Sequence, residues 1–346
     1  MAKIIVVTQA VDEEDSNLAF FVGWLAKMAQ QADLEVLTLR KGRHTLPANV
    51  KIHLLDEGGF SRARKWGRYQ KLLLKLLPES RGIFFHMCPE YVVGAGLWPF
   101  MFRKKTLFWY THKKVNWLLR LAEKLVDKIF TASPESFRLP SSKLEVTGHG
   151  IDLDLFRPAP ASCSGALKLL TAGRISPVKD LETLISAVGI LRKNIKTDII
   201  FDIVGKPFLP SDEKYKIGLE KRVESLGLSG VVRFQGSRFY RELPDVYRSH
   251  DIFLHASRTG SIDKAVLEAL ASGLAVFTSS EAYGKKFSTV LYRFEPQNSR
   301  VLAEKIPLLC QREEILKSKE KERKNDFVRK NFDLNSLIHK IVVYFT

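Results

Sequence analysis

The residues of this chain best suited to chemistry lie in two segments of its second half. The first, Thr171–Val188, reads TAGRISPVKDLETLISAV. An apolar strand runs into a glycine turn and Arg174; Ser176 and Pro177 follow as helix N-cap and first helical residue, with Lys179 in the first turn. Two cations beside a helix N-terminus, whose N–H groups and dipole favour an anion, make a diphosphate site. Two solvated basic residues near a turn are the plain alternative. The second segment, Asp251–Ser279, reads DIFLHASRTGSIDKAVLEALASGLAVFTS: a strand, a small-residue loop, a helix starting near Ile262, Gly273 as its C′ residue, and another strand. Glu268 falls mid-helix among Val266, Leu267, Ala269 and Leu270. A carboxylate in so apolar a segment is costly unless paired or hydrogen-bonded. A pair of ribose hydroxyls is one natural partner, and a structural bridge to Lys or Arg is the other.

The elements that must hold these segments alternate throughout. Short apolar strands at Ile4–Thr8, Leu34–Leu39, Val50–Leu55, Gly82–His86, Thr106–Tyr110, Lys128–Thr131 and Leu144–His149 are interleaved with helical stretches such as Asn17–Gln31 and Lys114–Lys128. After a Pro/Ser/Ala-rich stretch the series resumes with LKLLTAG, DIIFDIVG, VVRFQG, DIFLHAS, LAVFTSS and TVLYRF. Ser299–Thr346 is helical in pattern, and its lysine-rich stretch 317–324 reads as a solvated face. Strand–helix alternation of this kind predicts mostly parallel sheets and an α/β class. The expected organisation is a first Rossmann-like domain at 1–153, a linker at 154–166, a second at 167–330, and a C-terminal helix at 331–346 able to pack back on the first domain.

At 346 residues the chain is long for one core and right for two. No run approaches the roughly 20 apolar residues of a spanning helix. MAKIIVVTQA is followed at once by acidic residues, so it reads as a first strand rather than a signal peptide. Three scattered cysteines, Cys88, Cys163 and Cys310, argue against a disulfide framework and fit a reducing, cytoplasmic setting.

In combination the second-half motifs resemble the retaining glycosyltransferases of family 4, which adopt the GT-B fold of two Rossmann-like domains facing across a cleft. The resemblance spans about Leu167–Ser280, from GR-x4-K through FDIVGKP, VVRFQGS and RELPDVYRSHDIFLHAS to LEALASG. It implies that Arg174 and Lys179 bind the diphosphate of a nucleotide-sugar donor and that Glu268 holds the ribose. Gly205 and the turn Phe234–Gly236 would lie against the nucleotide. No cofactor and no metal are implied beyond the nucleotide sugar as co-substrate, so the D-x-D at Asp152–Asp154 is not read as a ligand set. The acceptor would be a glycan or lipid-linked glycan, in surface polysaccharide or glycolipid synthesis. The sugar is thought in this family to be attacked from the face the leaving group departs.

One departure matters. The family usually carries two glutamates in the loop, and the position of the first is Gly260. Three readings follow: Asp263 substitutes for it, backbone N–H groups of Gly260–Asp263, with Ser261 and Ile262 central, hold the donor, or the protein is a degenerate sugar-nucleotide-binding scaffold. Asp263 also reads as a plain acidic helix start. In the first domain the glycine-rich loop expected after strand one is replaced by Gln9–Asn17 (QAVDEEDSN), with Ser16 or Asn17 as the cap. His112, in FWYTHKKV, matches the family's active-site histidine, which would sit near the transferred sugar; His86 is a weaker candidate. Gly150 is the tight-turn residue of a G-I-D element.

The net charge of +17 attracts polyphosphates, anionic lipids or nucleic acid alike. Residues Phe60–Leu77 form a basic amphipathic helix with Arg62, Arg64, Lys65, Trp66 and Arg68 as membrane or acceptor contacts, and WPFMFRKK at Trp98–Lys105 adds a second basic-aromatic group. Peripheral contact with the anionic inner face of a membrane is therefore expected, against an ordinary helix packing its apolar side on the sheet. Nucleic-acid binding has no recognition motif behind it. An epimerase of nucleotide sugars would need an acid/base pair that no residues here supply.

Overall fold

The computed structural model describes residues 1–59, 61–159, 165–311 and 318–346. Phe60, linker residues 160–164 with Cys163, and Lys317 lie outside the described residues. The chain divides into two compact units, Met1–Asp152 with Phe332–Thr346, and Leu153–Asn331.

The first unit is built on a seven-stranded sheet. In chain order its elements are β1 (Ala2–Val11), α1 (Ala19–Ala29), β2 (Ala32–Lys41), β3 (Val50–Leu54), α2 (Arg62–Leu76), β4 (Gly82–His86), α3 (Pro89–Ala95) and α4 (Trp98–Met101). They continue with β5 (Lys105–Trp109), α5 (Trp117–Leu125), β6 (Lys128–Thr131) and β7 (Leu144–Val146), and the returning C-terminal helix α12 (Leu334–Phe345) completes the unit. The strands are parallel in the order β3-β2-β1-β4-β5-β6-β7. Ile4, Ile5, Val6 and Val7 of β1 are all fully buried, as a strand covered on both faces requires. Helices α1 and α12 share one apolar core with one face of the sheet; α2, α3 and α5 share another with the opposite face.

Helix α12 buries Leu334, Leu337, Ile338, Ile341, Val342 and Phe345 on one face. Six such side chains contribute on the order of 10 kcal/mol of gross apolar burial, before chain entropy is subtracted. Its start is fixed by Asp333, which accepts from the Ser336 N–H at 2.9 Å, and by a bridge to Ile151 made through Ile151 N–H to Phe332 O at 2.7 Å and Leu334 N–H to Ile151 O at 3.0 Å. Gly150 serves this docking rather than a turn: a Cβ there would lie 2.6 Å from Leu334 Cδ1. The left-handed glycine of the segment is Gly148, at φ +81.

The second unit repeats the plan with β8 (Ala166–Ala172), α6 (Leu181–Asn194), β9 (Asp198–Val204), α7 (Pro210–Ser225), β10 (Val232–Gly236), α8 (Leu243–Arg248), β11 (Ile252–His255), α9 (Lys264–Ala271), β12 (Ala275–Thr278), β13 (Leu291–Arg293), α10 (Ser299–Gln311) and α11 (Ser318–Phe332). Its six strands are parallel in the order β10-β9-β8-β11-β12-β13. The order reverses between β8 and β11, and at such a switch point the loops leaving the strands' carboxyl ends part and open a crevice for a ligand. Arg174 and Lys179 follow β8, and the loop carrying Gly260 follows β11.

The lysine-rich stretch is not a wholly solvated face. Lys324 is buried and points its ammonium at Gly273 O (3.5 Å), beside Asn325, whose amide donates to Ala271 O at 2.6 Å. The carbonyls at the C-terminus of α9 favour a cation there, while burial pushes the Lys324 amine down to about 8. Among the described residues no helix is long and apolar enough to cross a membrane.

Candidate functional site

The chain leaves β8 through Gly173 (φ +138) and the exposed Arg174. Residues Pro177–Lys179 form a 3-10 turn, and α6 begins only at Leu181, capped by Asp180 in the left-handed region at φ +48. Ser176 is therefore not the cap of α6, and Lys179 lies in the turn before the helix instead of in its first turn. Proline at 177 fixes its own φ but leaves the chain one turn short of α-helical pairing. The Lys179 side chain folds back over the strand end, so that a Cβ on Gly173 would lie 3.7 Å from its Cε.

The loop after β11 meets this turn. The Arg258 N–H donates to Val178 O (2.9 Å) and its guanidinium to Pro177 O (2.8 Å). Lys179 then makes a direct ion-paired hydrogen bond to Asp263, 84 residues away in sequence. Asp263 is held on every side: its N–H donates to the Tyr283 hydroxyl at 2.9 Å, its Oδ1 accepts from the Ala265 N–H at 3.4 Å as N-cap of α9, and His255 Nε2 lies 3.4 Å from its Oδ2. The other His255 nitrogen faces Thr278 Oγ1 at 2.9 Å. Burial would push the Asp263 carboxyl up, but Lys179 and His255 override it and hold it well below the usual range. Burial pushes the His255 imidazole down, against the pull of Asp263.

One turn along α9, Glu268 is 4% exposed. The Tyr247 hydroxyl donates to its Oε2 at 3.2 Å, and Lys264 Nζ stands 3.6 Å from its Oε1. Lys264 also donates to the Tyr240 hydroxyl at 3.2 Å, its ammonium 4.7 Å from that ring's centre. Burial raises the Glu268 carboxyl, with Lys264 and Tyr247 opposing. The structural bridge expected as the alternative for Glu268 is thus present, supplied by its own helix.

Gly260 sits at φ +65 with no atom within 4 Å of where a Cβ would stand. Ser261 and Ile262 follow half-exposed, Ser261 within a run of hydroxyls (Ser257 to Thr259 at 3.2 Å, Ser261 to Thr259 at 3.5 Å). The Asp263 N–H, engaged by Tyr283, is not one of the amides offered to a ligand. At the neighbouring strand ends Gly205 N–H donates to Gly236 O at 2.8 Å, and Phe234 packs on the core beside them. Phe208 and Phe239, about half exposed, follow the same two strand ends.

The first unit's candidates divide. His112 is exposed three residues past β5, its Nδ1 accepting from the Lys114 N–H at 3.1 Å. His86 is buried, stacked on Phe21 with ring centres 3.8 Å apart and 3.2 Å from Thr8 Oγ1, which is a core role. β1 runs on to Val11, and the loop beyond it is braced by its own acids: Asp15 accepts from the amides of Asn17 and Leu18 at 2.9 Å and pairs with Arg40, while α1 starts after Leu18 with no side-chain cap, so neither Ser16 nor Asn17 caps it. Asp152 of the D-x-D pairs with Lys27 at 3.4 Å. On α2, Arg62 and Arg64 are exposed, while Lys65 pairs with Asp56 and Arg68 with Glu57. Trp66 is half-buried, one side of its ring packed on Tyr69, Tyr91 and Gly94, where a Cβ would lie 2.2 Å from the indole. The exposed large apolar residues include Leu74 on α2, Leu97, Phe100 and Met101 around α4, and Trp117 on α5.

Sequence reasoning missed His255, Lys264, Tyr240, Tyr247 and Tyr283. A histidine closing the apolar run IFLH was a readable signal, because a buried imidazole needs partners. The three tyrosines carried none.

The family model for glycosyl transferases group 1 matches residues 154–326, half of the chain. The chain belongs to this family. Among its relatives is the D-inositol 3-phosphate glycosyltransferase of Streptomyces scabiei, 29% identical over 178 residues, which are 47% of this chain and 40% of that protein. The mannosylfructose-phosphate synthase of Agrobacterium fabrum is 30% identical over 125 residues, 36% of this chain and 27% of that one. The match thus spans well under half the length of these curated relatives. Among solved structures, Anabaena HepE in complex with UDP and glucose superposes with a TM-score of 0.76 at 17% identity, covering 99% of each chain. The sucrose-phosphate synthase of Thermosynechococcus elongatus gives 0.74 at 15%, covering 99% and 97%. These likenesses give this group 1 chain the GT-B fold of two Rossmann-like α/β domains.

Proposed function

We propose that this chain transfers a sugar, with retention as in family 4, from a nucleotide diphosphate sugar to a glycan or lipid-linked acceptor. The observation that carries the reading is the meeting of Lys179 with Asp263 at the switch point, with Glu268 on the same helix. It joins the two segments picked out for diphosphate and ribose at the place where parallel sheets take nucleotides. Arg174, Lys179 and the amides of Ser261 and Ile262 surround the diphosphate and stabilise the charge that develops as it leaves. Glu268 takes the ribose hydroxyls, and Gly205, Phe234 and Gly236 back the nucleotide. Anabaena HepE, solved with UDP and glucose, supports a nucleotide-sugar donor. The exposed Phe100, Met101 and Trp117, on a unit rich in lysine and arginine, support contact with an anionic bilayer from which a lipid-linked acceptor would be taken.

The test is calorimetry with UDP and GDP, followed by incubation with a panel of nucleotide sugars and detection of released nucleotide. Binding with turnover is expected. Binding without turnover favours the scaffold reading, which the engaged Asp263 and the glycine at 260 make specific. Absence of nucleotide binding removes the assignment.

A further inference from the structure

The first unit has a switch point of its own, where its strand order reverses between β1 and β4. Near the carboxyl ends of the strands there, a pocket of about 470 Å³ is lined by Leu39 of β2, Arg62, Lys65 and Trp66 of α2, and Glu90 and Tyr91 of α3. Its aromatic wall is preformed. The Trp66 ring centre lies 5.4 Å from that of Tyr91 and 5.7 Å from that of Tyr69. The Tyr69 hydroxyl donates to Tyr91 O at 2.7 Å and the Gln70 amide to Gly94 O at 2.6 Å, which fixes α2 on α3 before any ligand arrives. Among the described residues, the Arg62 guanidinium, the Glu90 carboxylate, the Trp66 indole N–H and the Tyr91 hydroxyl make no hydrogen bond or ion pair with the protein. Arg62 and Glu90 thus bring opposite charges to one pocket without pairing with each other. Lys65 is paired with Asp56, so the pocket as a whole carries no net charge.

We infer that this pocket binds an uncharged sugar ring and that the ring belongs to the acceptor, the second part resting on the reading of this chain as a glycosyltransferase. An ionised glutamate only accepts hydrogen bonds and a guanidinium only donates them. A ligand that fills the space between the two must do both, and a sugar hydroxyl does. A phosphate or carboxylate can only accept, so it would meet Glu90 with nothing to donate and a like charge to repel it. A purely apolar ligand would strip water from these polar groups and give nothing in return. Leu39, Trp66 and Tyr91 supply apolar surface for the C–H faces of the ring, the usual lining of a small-molecule site with a few placed polar groups. Burial raises the Tyr91 hydroxyl above its ordinary value, so it meets the ligand un-ionised. Transfer needs a place for the acceptor apart from the donor's crevice, and this pocket supplies one on the first unit.

The experiment is saturation-transfer NMR with calorimetry on the full chain. The neutral probes are methyl glycosides of glucose, galactose, mannose and N-acetylglucosamine; the charged ones are glucuronate and a hexose phosphate. At least one neutral glycoside is expected to bind, and both charged probes to bind more weakly. Glu90→Gln and Arg62→Met, each checked for a wild-type melting curve, are expected to weaken that glycoside about tenfold. Glu90→Gln should also bind the charged probes more tightly than the wild type does, a gain that misfolding cannot imitate. Neither variant should change the affinity for UDP or GDP, which the second unit would hold. The inference is overturned if no neutral glycoside binds, if the wild type binds a charged probe as tightly or more so, or if both variants keep full glycoside affinity. A wild-type chain that binds a glycoside but neither nucleotide leaves the sugar pocket in place and removes the transferase reading beneath the acceptor assignment.

Discussion

Replacing Gly205 with alanine should damage the candidate site from outside it. Gly205 closes β9 at φ +145, and a Cβ there would lie 1.8 Å from the carbonyl oxygen of Gly173, the residue before Arg174. That neighbour is backbone, tied by its own N–H to Val204 O at 2.9 Å, so no side chain can swing away to make room. Forcing an L-residue into so sparsely populated a conformation costs about 1–3 kcal/mol. Overpacking a close contact costs about another 1–3 kcal/mol. The sum is roughly 2–6 kcal/mol, which at about 2–4 °C per kcal/mol for a unit of this size lowers its melting temperature by about 4–24 °C. Nucleotide affinity should fall with it, because the Gly173–Arg174 turn must shift. Gly236→Ala is the control: its φ is +69 but no atom lies within 4 Å, so only the backbone cost of about 1–2 kcal/mol applies. Differential scanning calorimetry with and without UDP or GDP reads both. A Gly205→Ala protein melting within about 2 °C of wild type, or one no worse than Gly236→Ala, would refute the close-approach argument.

Two further outcomes are expected. Asp202 is buried and accepts from Arg233 at 2.7 and 2.9 Å, Gln235 at 3.1 Å and His250 at 3.1 Å, and these bonds overcome its burial and hold its carboxyl well below the usual range. A carboxyl depressed on folding stabilises above the unfolded value near 4 and loses that contribution as pH falls through the folded value. Asp202→Asn should therefore cost about 1–3 kcal/mol at pH 7 and flatten the acid limb of the melting temperature below about pH 4, whereas an unchanged limb would place acid sensitivity elsewhere. On the first unit, Phe100→Ser with Met101→Ser should weaken sedimentation with anionic vesicles by roughly tenfold while neutral vesicles bind neither protein, and unaltered sedimentation would remove this face from any membrane contact.

The strands were legible because both faces of a parallel strand are buried and leave a continuous apolar run; Gly82–His86 and Lys128–Thr131 have the expected limits. The helix after Lys179 is legible because Leu181, Leu184, Val188 and Leu191 fall three and four apart, as one buried face requires, and it lies at Leu181–Asn194. What sequence could not supply was direction. Trp66 reads equally well as an interfacial aromatic or a core one, and only the glycine at 94 opposite it shows that its ring leans on the core. Lys324 reads as one of many solvated lysines until the C-terminus of α9 is brought beneath it. The pairing of Lys179 with Asp263 joins residues on two strand-end loops, and no local pattern encodes which loop residue reaches across. Gly260 was read as a missing carboxylate; its φ of +65 puts the backbone in a region where glutamate is disfavoured and glycine is not.

The return of the chain through Asp333 into α12 sets an order of assembly. The second unit is one contiguous stretch, Leu153–Asn331, whereas the core of the first shared by β1, β4 and β5 is covered in part by Ile338, Ile341 and Phe345. During synthesis the first unit's strands therefore emerge before α12, which follows the whole of the second unit, and one face of their sheet stays partly uncovered until that helix is made. For this chain the order of translation and the order of completion are opposite, and the apolar seam awaiting α12 is the surface on which a chaperone or a misfolding contact would act.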